Sequence, residues 1–115
     1  MKQPDYPVAA RDGAQSGQRV LTPGGPLDMA CVPDFLRAVR EEPAPVVILD
    51  FSKVSYIDSS GVGALLQLLT GLQKAKRKLA LANVSQRVTA VLDMTRVKGL
   101  FIIFATVAEA EQKLG

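Results

Sequence analysis

An α/β fold with a mixed, mostly parallel sheet and packed helices is predicted by three observations. Short aliphatic runs recur at Val46–Leu49, Leu79–Ala82 and Phe101–Phe104. Longer segments between them carry apolar residues at helical spacing. From residue 46 onward the order is therefore βαβαβα, which gives parallel strands joined by crossover helices. A chain of 115 residues holds one domain. We place it at 19–115, with 1–18 as an N-terminal segment carrying a possible edge strand.

Taken in order, Tyr6–Ala10 and Arg19–Thr22 read as two edge strands joined by the polar turn Asp12–Gly17, and Pro23, Gly24, Gly25 and Pro26 stop any long strand there. Val32, Phe35, Leu36 and Val39 form a helical stripe, with Pro33 tolerated in the first turn and Glu41-Glu42-Pro43 ending it. Val46–Leu49 has the continuous aliphatic character of a strand buried on both faces. Gly61–Lys78 reads as a helix with Val62, Leu65, Leu66, Leu69 and Leu72 on one face, packed on the strand Val46–Phe51. After the strand Leu79–Ala82, Ser85 is the expected cap of a helix whose buried face is Val88, Val91, Leu92 and Thr95. Phe101–Phe104 is the last strand and Val107–Leu114 a short closing helix.

Composition narrows the chemistry. Apolar residues make up 48% and charged residues 22%, so disordered and collagen-like classes drop out. No histidine is present, which removes Ser-His-Asp and Cys-His nucleophiles, imidazole bases and histidine metal sites. The single Cys31 permits no internal disulfide or cysteine zinc cage and suits a reducing, cytoplasmic setting. It lies near a helix start without a basic neighbour, so a structural thiol is expected. No apolar run is long enough to insert into a membrane. The net charge of +3 is uneven: residues 1–60 hold six Lys/Arg and eight Asp/Glu, residues 61–115 eight and three. Lys74, Lys76, Arg77 and Lys78 supply much of that excess, read as a solvated helix end complementing the helix dipole. No aromatics interleave with them, so direct nucleic-acid binding is not expected.

The segment Asp50–Gly63 leaves the carboxyl end of a buried strand and enters a helix, where open α/β sheets place their sites. Gly61-Val62-Gly63 arrives too late after the strand for a dinucleotide loop, and no Lys-Ser/Thr follows to make a P-loop. Gly-x-Ser-x-Gly is absent. Asp50 and Asp58 alone make a thin magnesium site. What remains is a hydroxyl pair, Ser59-Ser60, at a helix N-terminus. Asp58, Ser59 or Ser60 can each cap that helix, and Gly61 and Gly63 allow another chain close to the backbone.

With Val47-Ile48-Leu49-Asp50-Phe51-Ser52-Lys53-Val54 and Ile57-Asp58-Ser59-Ser60-Gly61-Val62-Gly63 in view, the chain resembles the STAS domain family, and within it the bacterial anti-sigma factor antagonists. Met94-Thr95-Arg96-Val97, Phe101–Phe104 and Thr106–Ala110 are similar to that family's ending. One departure is Gly25-Pro26-Leu27-Asp28, where the family has Glu in place of Pro26. The resemblance implies a STAS-like domain acting as a monomeric partner switch rather than an enzyme. Its partner would be an anti-sigma factor that is also a serine kinase, with a serine phosphatase reversing the modification. Ser59 is the implied phosphorylation site, and Asp28, Asp58, Ser59, Ser60, Gly61 and Gly63 the implied partner-binding residues. No cofactor is implied, because the ATP belongs to the kinase. The alternative is a STAS subunit of a stressosome or a lipid-transport ABC complex, with Ser59 only a helix cap.

Overall fold

Residues 6–115 are described in the computed structural model of the chain. Five strands form one sheet in the order β1-β2-β3-β4-β5, namely Val8–Asp12, Gln18–Pro23, Val46–Asp50, Lys78–Ala82 and Ile102–Phe104. β1 runs antiparallel to β2, and β2 through β5 are parallel to one another. The mixed, mostly parallel sheet and the βαβαβα order from residue 46 are thus present. The helices are α1 (Val32–Arg40), α2 (Ser59–Lys74), α3 (Gln86–Met94) and α4 (Val107–Lys113), with a short 3-10 turn at Lys98–Leu100.

Strand alternation splits the core in two. Val47, Leu49, Leu79 and Leu81 point to one side, where they cluster with Phe35 and Val39 of α1, Leu65, Leu68 and Leu72 of α2, and Val88 and Leu92 of α3. Val20, Ile48 and Ala82 point to the other and meet Val107 and Ala110 of α4. Three helices therefore cover one face and one covers the other. Burial of β3 on both sides explains its unbroken aliphatic sequence.

Several element boundaries differ from expectation. The first strand lies at Val8–Asp12 rather than Tyr6–Ala10, which frees the Tyr6 side chain to pack edge-on to Phe35 and donate its hydroxyl to the Gly25 carbonyl. α2 stops at Lys74, four residues before the expected end. Lys76 there adopts φ 59°, the Arg77 N–H donates to the Leu72 carbonyl and the Lys76 N–H to Gln73. α3 closes the same way, with Arg96 at φ 61° and the Val97 N–H on the Leu92 carbonyl. These are Schellman endings in which lysine and arginine occupy the left-handed position that glycine usually fills. Thr95 consequently falls at the exposed end of α3 instead of on its buried face. Ser85 caps α3 as expected, accepting from the Val88 N–H at 3.1 Å.

The basic cluster also divides. Lys74, Lys76 and Lys78 are exposed, and Lys74 sits in the last turn of α2, where a cation is favourable. Arg77 instead turns inward and donates to the carbonyls of Glu42 and Ala44, tying the end of α2 to the entry of β3. At the same end of the sheet, contacts of the buried Glu111 hold the β1–β2 turn. Its carboxylate accepts from Arg11 and the Ala14 N–H, and its carbonyl from Gln15 and Gln18.

Leu65 is fully buried in the centre of the α2 face, whereas Leu69 lies at its margin. Leu65→Ala should cost about 2–5 kcal/mol in chemical denaturation and Leu69→Ala less. Equal losses, or losses below about 1 kcal/mol at Leu65, would contradict this packing.

Candidate functional site

The strand-to-helix segment after β3 is folded by one carboxylate. Asp58 is extended (φ −106°, ψ −173°), and its Oδ1 accepts from the Gly61 N–H at 3.0 Å, capping α2. Its Oδ2 accepts from the Met29 N–H at 3.1 Å, so the same side chain ties down the loop before α1. The backbone completes the tie: the Leu27 N–H donates to Tyr56 and the Asp58 N–H to Leu27, giving a short parallel bridge between Leu27 and Ile57.

The two glycines play different parts. A Cβ on Gly61 would collide with the Leu27 carbonyl oxygen and with Ile57 Cγ1, so the close approach that this glycine permits is made by the chain's own Leu27. Gly61 is buried there. Gly63, half a turn on, has nothing within 4 Å of its Cβ direction and faces open space. Of the expected contact residues, the fold therefore brings Asp28, Asp58, Ser59, Ser60 and Gly63 to one region and places Gly61 beneath it.

Ser59 is the first residue of α2 and is exposed; Ser60 is half-buried. Among the described residues, neither hydroxyl makes a hydrogen bond, because the cap is Asp58. This corrects the alternative in which Ser59 is only a helix cap: the cap is Asp58, and the Ser59 side chain is not needed to hold the helix start.

Asp28 opens the loop that Asp58 holds. Its Oδ1 accepts from the Cys31 N–H and its Oδ2 from the Tyr56 hydroxyl, each at 3.0 Å. Hydrogen bonding to Cys31, then to Tyr56, holds the Asp28 carboxyl below the usual range. Desolvation, followed by the bond to Asp28, pushes the Cys31 thiol up, away from the thiolate form. The Arg87 guanidinium stacks over the Tyr56 ring at 5.3 Å. Met29 is 75% exposed beside Asp58. Met29, Tyr56 and Arg87 escaped the sequence reading; only Tyr56, two residues before Asp58, offered a local signal.

Asp50 belongs to the scaffold. Its Oδ1 accepts from the Asn83 side chain and the Ser52 N–H, and its Oδ2 from Thr22, joining the carboxyl ends of β2, β3 and β4. Desolvation pushes its pKa up, but the bonds from Asn83, Ser52 and Thr22 together outweigh it and hold the group below the usual carboxylate range. Among the described residues no three acids or thiols gather as metal ligands, and no helix is long and apolar enough to cross a membrane.

A mostly parallel sheet with this helix-opening motif defines the class, and the comparisons agree. The chain belongs to the STAS domain family, whose profile matches residues 8–110. It is 34% identical over 80 residues to an anti-sigma-B factor antagonist of Staphylococcus epidermidis, covering 67% of this chain and 74% of that one. The Bacillus anti-sigma factor antagonist SpoIIAA superposes with a TM-score of 0.72 in its unphosphorylated form, at 23% identity over 94% of this chain and 96% of that one. Its phosphorylated form gives 0.66, at 22% identity over 96% and 99%. A sulfate transporter family protein of Wolinella succinogenes gives 0.74, at 27% identity over 87% and 88%.

Two expectations follow. Gly61→Ala should destabilise by about 1–3 kcal/mol through overpacking, whereas Gly63→Ala should be neutral or stabilising by up to about 1 kcal/mol; urea unfolding of the pair decides. Asp50 has a depressed folded pKa, so its contribution is complete at neutral pH and is lost as the pH falls below about 4 and through the folded value. Asp50→Asn should lower the urea midpoint at pH 7 and flatten its acid limb. An unchanged acid limb would show that Asp50 is not the group responsible.

Proposed function

We propose that this chain is an anti-sigma factor antagonist whose surface around Asp28, Asp58–Ser60 and Gly63 docks an anti-sigma factor with serine kinase activity, and that Ser59 is the phosphorylated residue. The observation that carries this reading is the division of labour at the start of α2. Asp58 caps the helix, which leaves the Ser59 hydroxyl exposed and unbonded for an incoming γ-phosphoryl group. The names of the Staphylococcus relative and of SpoIIAA support it, as does the existence of SpoIIAA in two phosphorylation states.

Phosphorylation adds about −1.5 to −2 charges. On the free protein these meet the positive end of α2 and solvent, so folding tolerates them. Against a docked partner, the same dianion sits beside Asp58 and must be desolvated, which weakens binding. Kinase and phosphatase then set the fraction of antagonist able to bind. In this reading the chain works as a cytoplasmic monomer and the ATP is held by the kinase. The Wolinella match favours a second reading, a STAS subunit of a transporter.

Incubation with the cognate kinase and ATP, followed by mass spectrometry, tests the acceptor. Phosphate is expected on Ser59, none on the Ser59→Ala protein, and unaltered phosphorylation of Ser60→Ala. Ser59→Asp should fold normally and bind the anti-sigma factor about a hundredfold more weakly. Phosphate on Ser60 alone, or on neither serine, would overturn the assignment. Recovery of transporter subunits in place of a kinase from a detergent-solubilised native lysate would select the second reading.

A further inference from the structure

At the end of the sheet opposite Ser59, the chain leaves an apolar hollow beside a strand edge. β5 is the last strand in the sheet order, and its outer side has no strand partner among the described residues. The hollow, of about 220 Å³, is floored by Leu69 and Leu79 and walled by Leu100, Ile102, Arg77 and Lys78, with Gln73 at its margin. Leu100, in the hollow, is 57% exposed; Ile102, whose side chain lies with Phe104 on the α4 side of the sheet, brings its strand edge to the hollow. No acidic residue lines the hollow. Lys78 opens β4 and Lys98 opens the turn that carries Leu100, and among the described residues neither pairs with a carboxylate. Lys74 ends α2 and Lys76 lies on the turn leading into β4, and both are likewise exposed.

We propose that this corner docks an extended acidic segment of a partner protein, with an apolar side chain seated against Leu100 over Leu69 and Leu79 and its carboxylates on Lys78 and Lys98. Three features select that occupant. An open strand edge pairs with extended backbone. The hollow is sized for a single side chain. The rim carries only positive charge, which favours an acidic segment and opposes a second copy, since pairing two such edges would bring their lysines together. α2 begins at Ser59 and ends at Lys74, so its length separates this corner from the face around Asp58. A ligand here does not compete for that face, and the site is available in either phosphorylation state.

Titration of the 15N-labelled full chain with a synthetic peptide of alternating Leu and Glu tests the proposal, with a Leu/Lys peptide as the matched control. Amide shifts are expected at Lys78–Ala80 and Leu100–Phe104 and not at Asp58–Gly63. Lys78→Glu combined with Lys98→Glu should weaken binding about tenfold, and added salt should weaken it further. Ser59→Asp should leave the titration unchanged, which makes the result independent of the phosphorylation assignment. Three outcomes would overturn the proposal: equal binding of the Leu/Lys peptide, shifts confined to other surfaces or absent at about 1 mM peptide, or a concentration-dependent dimer that Ile102→Glu abolishes.

Discussion

Leu27 rests on the backbone of Gly61, and the position of every element around the site depends on that crossing. The segment leading into α1 passes over the first turn of α2 at a separation that leaves no room for a Cβ. Two backbone hydrogen bonds flank the crossing, from Leu27 to Tyr56 and from Asp58 to Leu27. Because Leu27 is fully buried, the apolar contact and the hydrogen bonds reinforce one another in a water-poor setting. The starts of α1 and α2 are thereby held side by side, and Asp28, Met29, Asp58 and Ser59 share one surface although about thirty residues separate them.

Carboxylates do most of the fastening outside the apolar core. Asp58 spans the crossing, Asp28 joins the α1 loop to Tyr56, Asp50 gathers three strand ends, and Glu111 holds the first hairpin. Each accepts from backbone or side-chain donors, and a charged acceptor makes a stronger bond than a neutral one. The arrangement relieves Ser59 and Ser60 of structural duty. A hydroxyl that holds nothing in place can change without unfolding the helix behind it.

The two ends of α2 differ in character. At its start, polar side chains, an exposed methionine and an open glycine surround Ser59; at its end, leucine side chains lie beside exposed lysines. The helix core between them is rigidly packed through Leu65, Leu68 and Leu72. A domain of this size can therefore present two chemically distinct surfaces without a hinge.

The order of strands and helices, the aliphatic core and the helix-opening motif were legible in the sequence, because periodicity and capping chemistry act over a few neighbouring residues. Ser85 could be read as a cap from local spacing alone. The ends of α2 and α3 could not, since Lys76 and Arg96 occupy positions where a glycine would have announced the stop. The roles within Asp58-Ser59-Ser60-Gly61 were likewise open in one dimension: any of three side chains could cap, and either glycine could admit a neighbour. Only the tertiary structure decided that Asp58 caps, that Leu27 fills the space over Gly61, and that Met29 and Arg87 stand near the site. Apart from the local Asp58 cap, those outcomes depend on contacts between segments about thirty residues apart, and the spacing of residues along one segment carries no information about which other segment will lie across it.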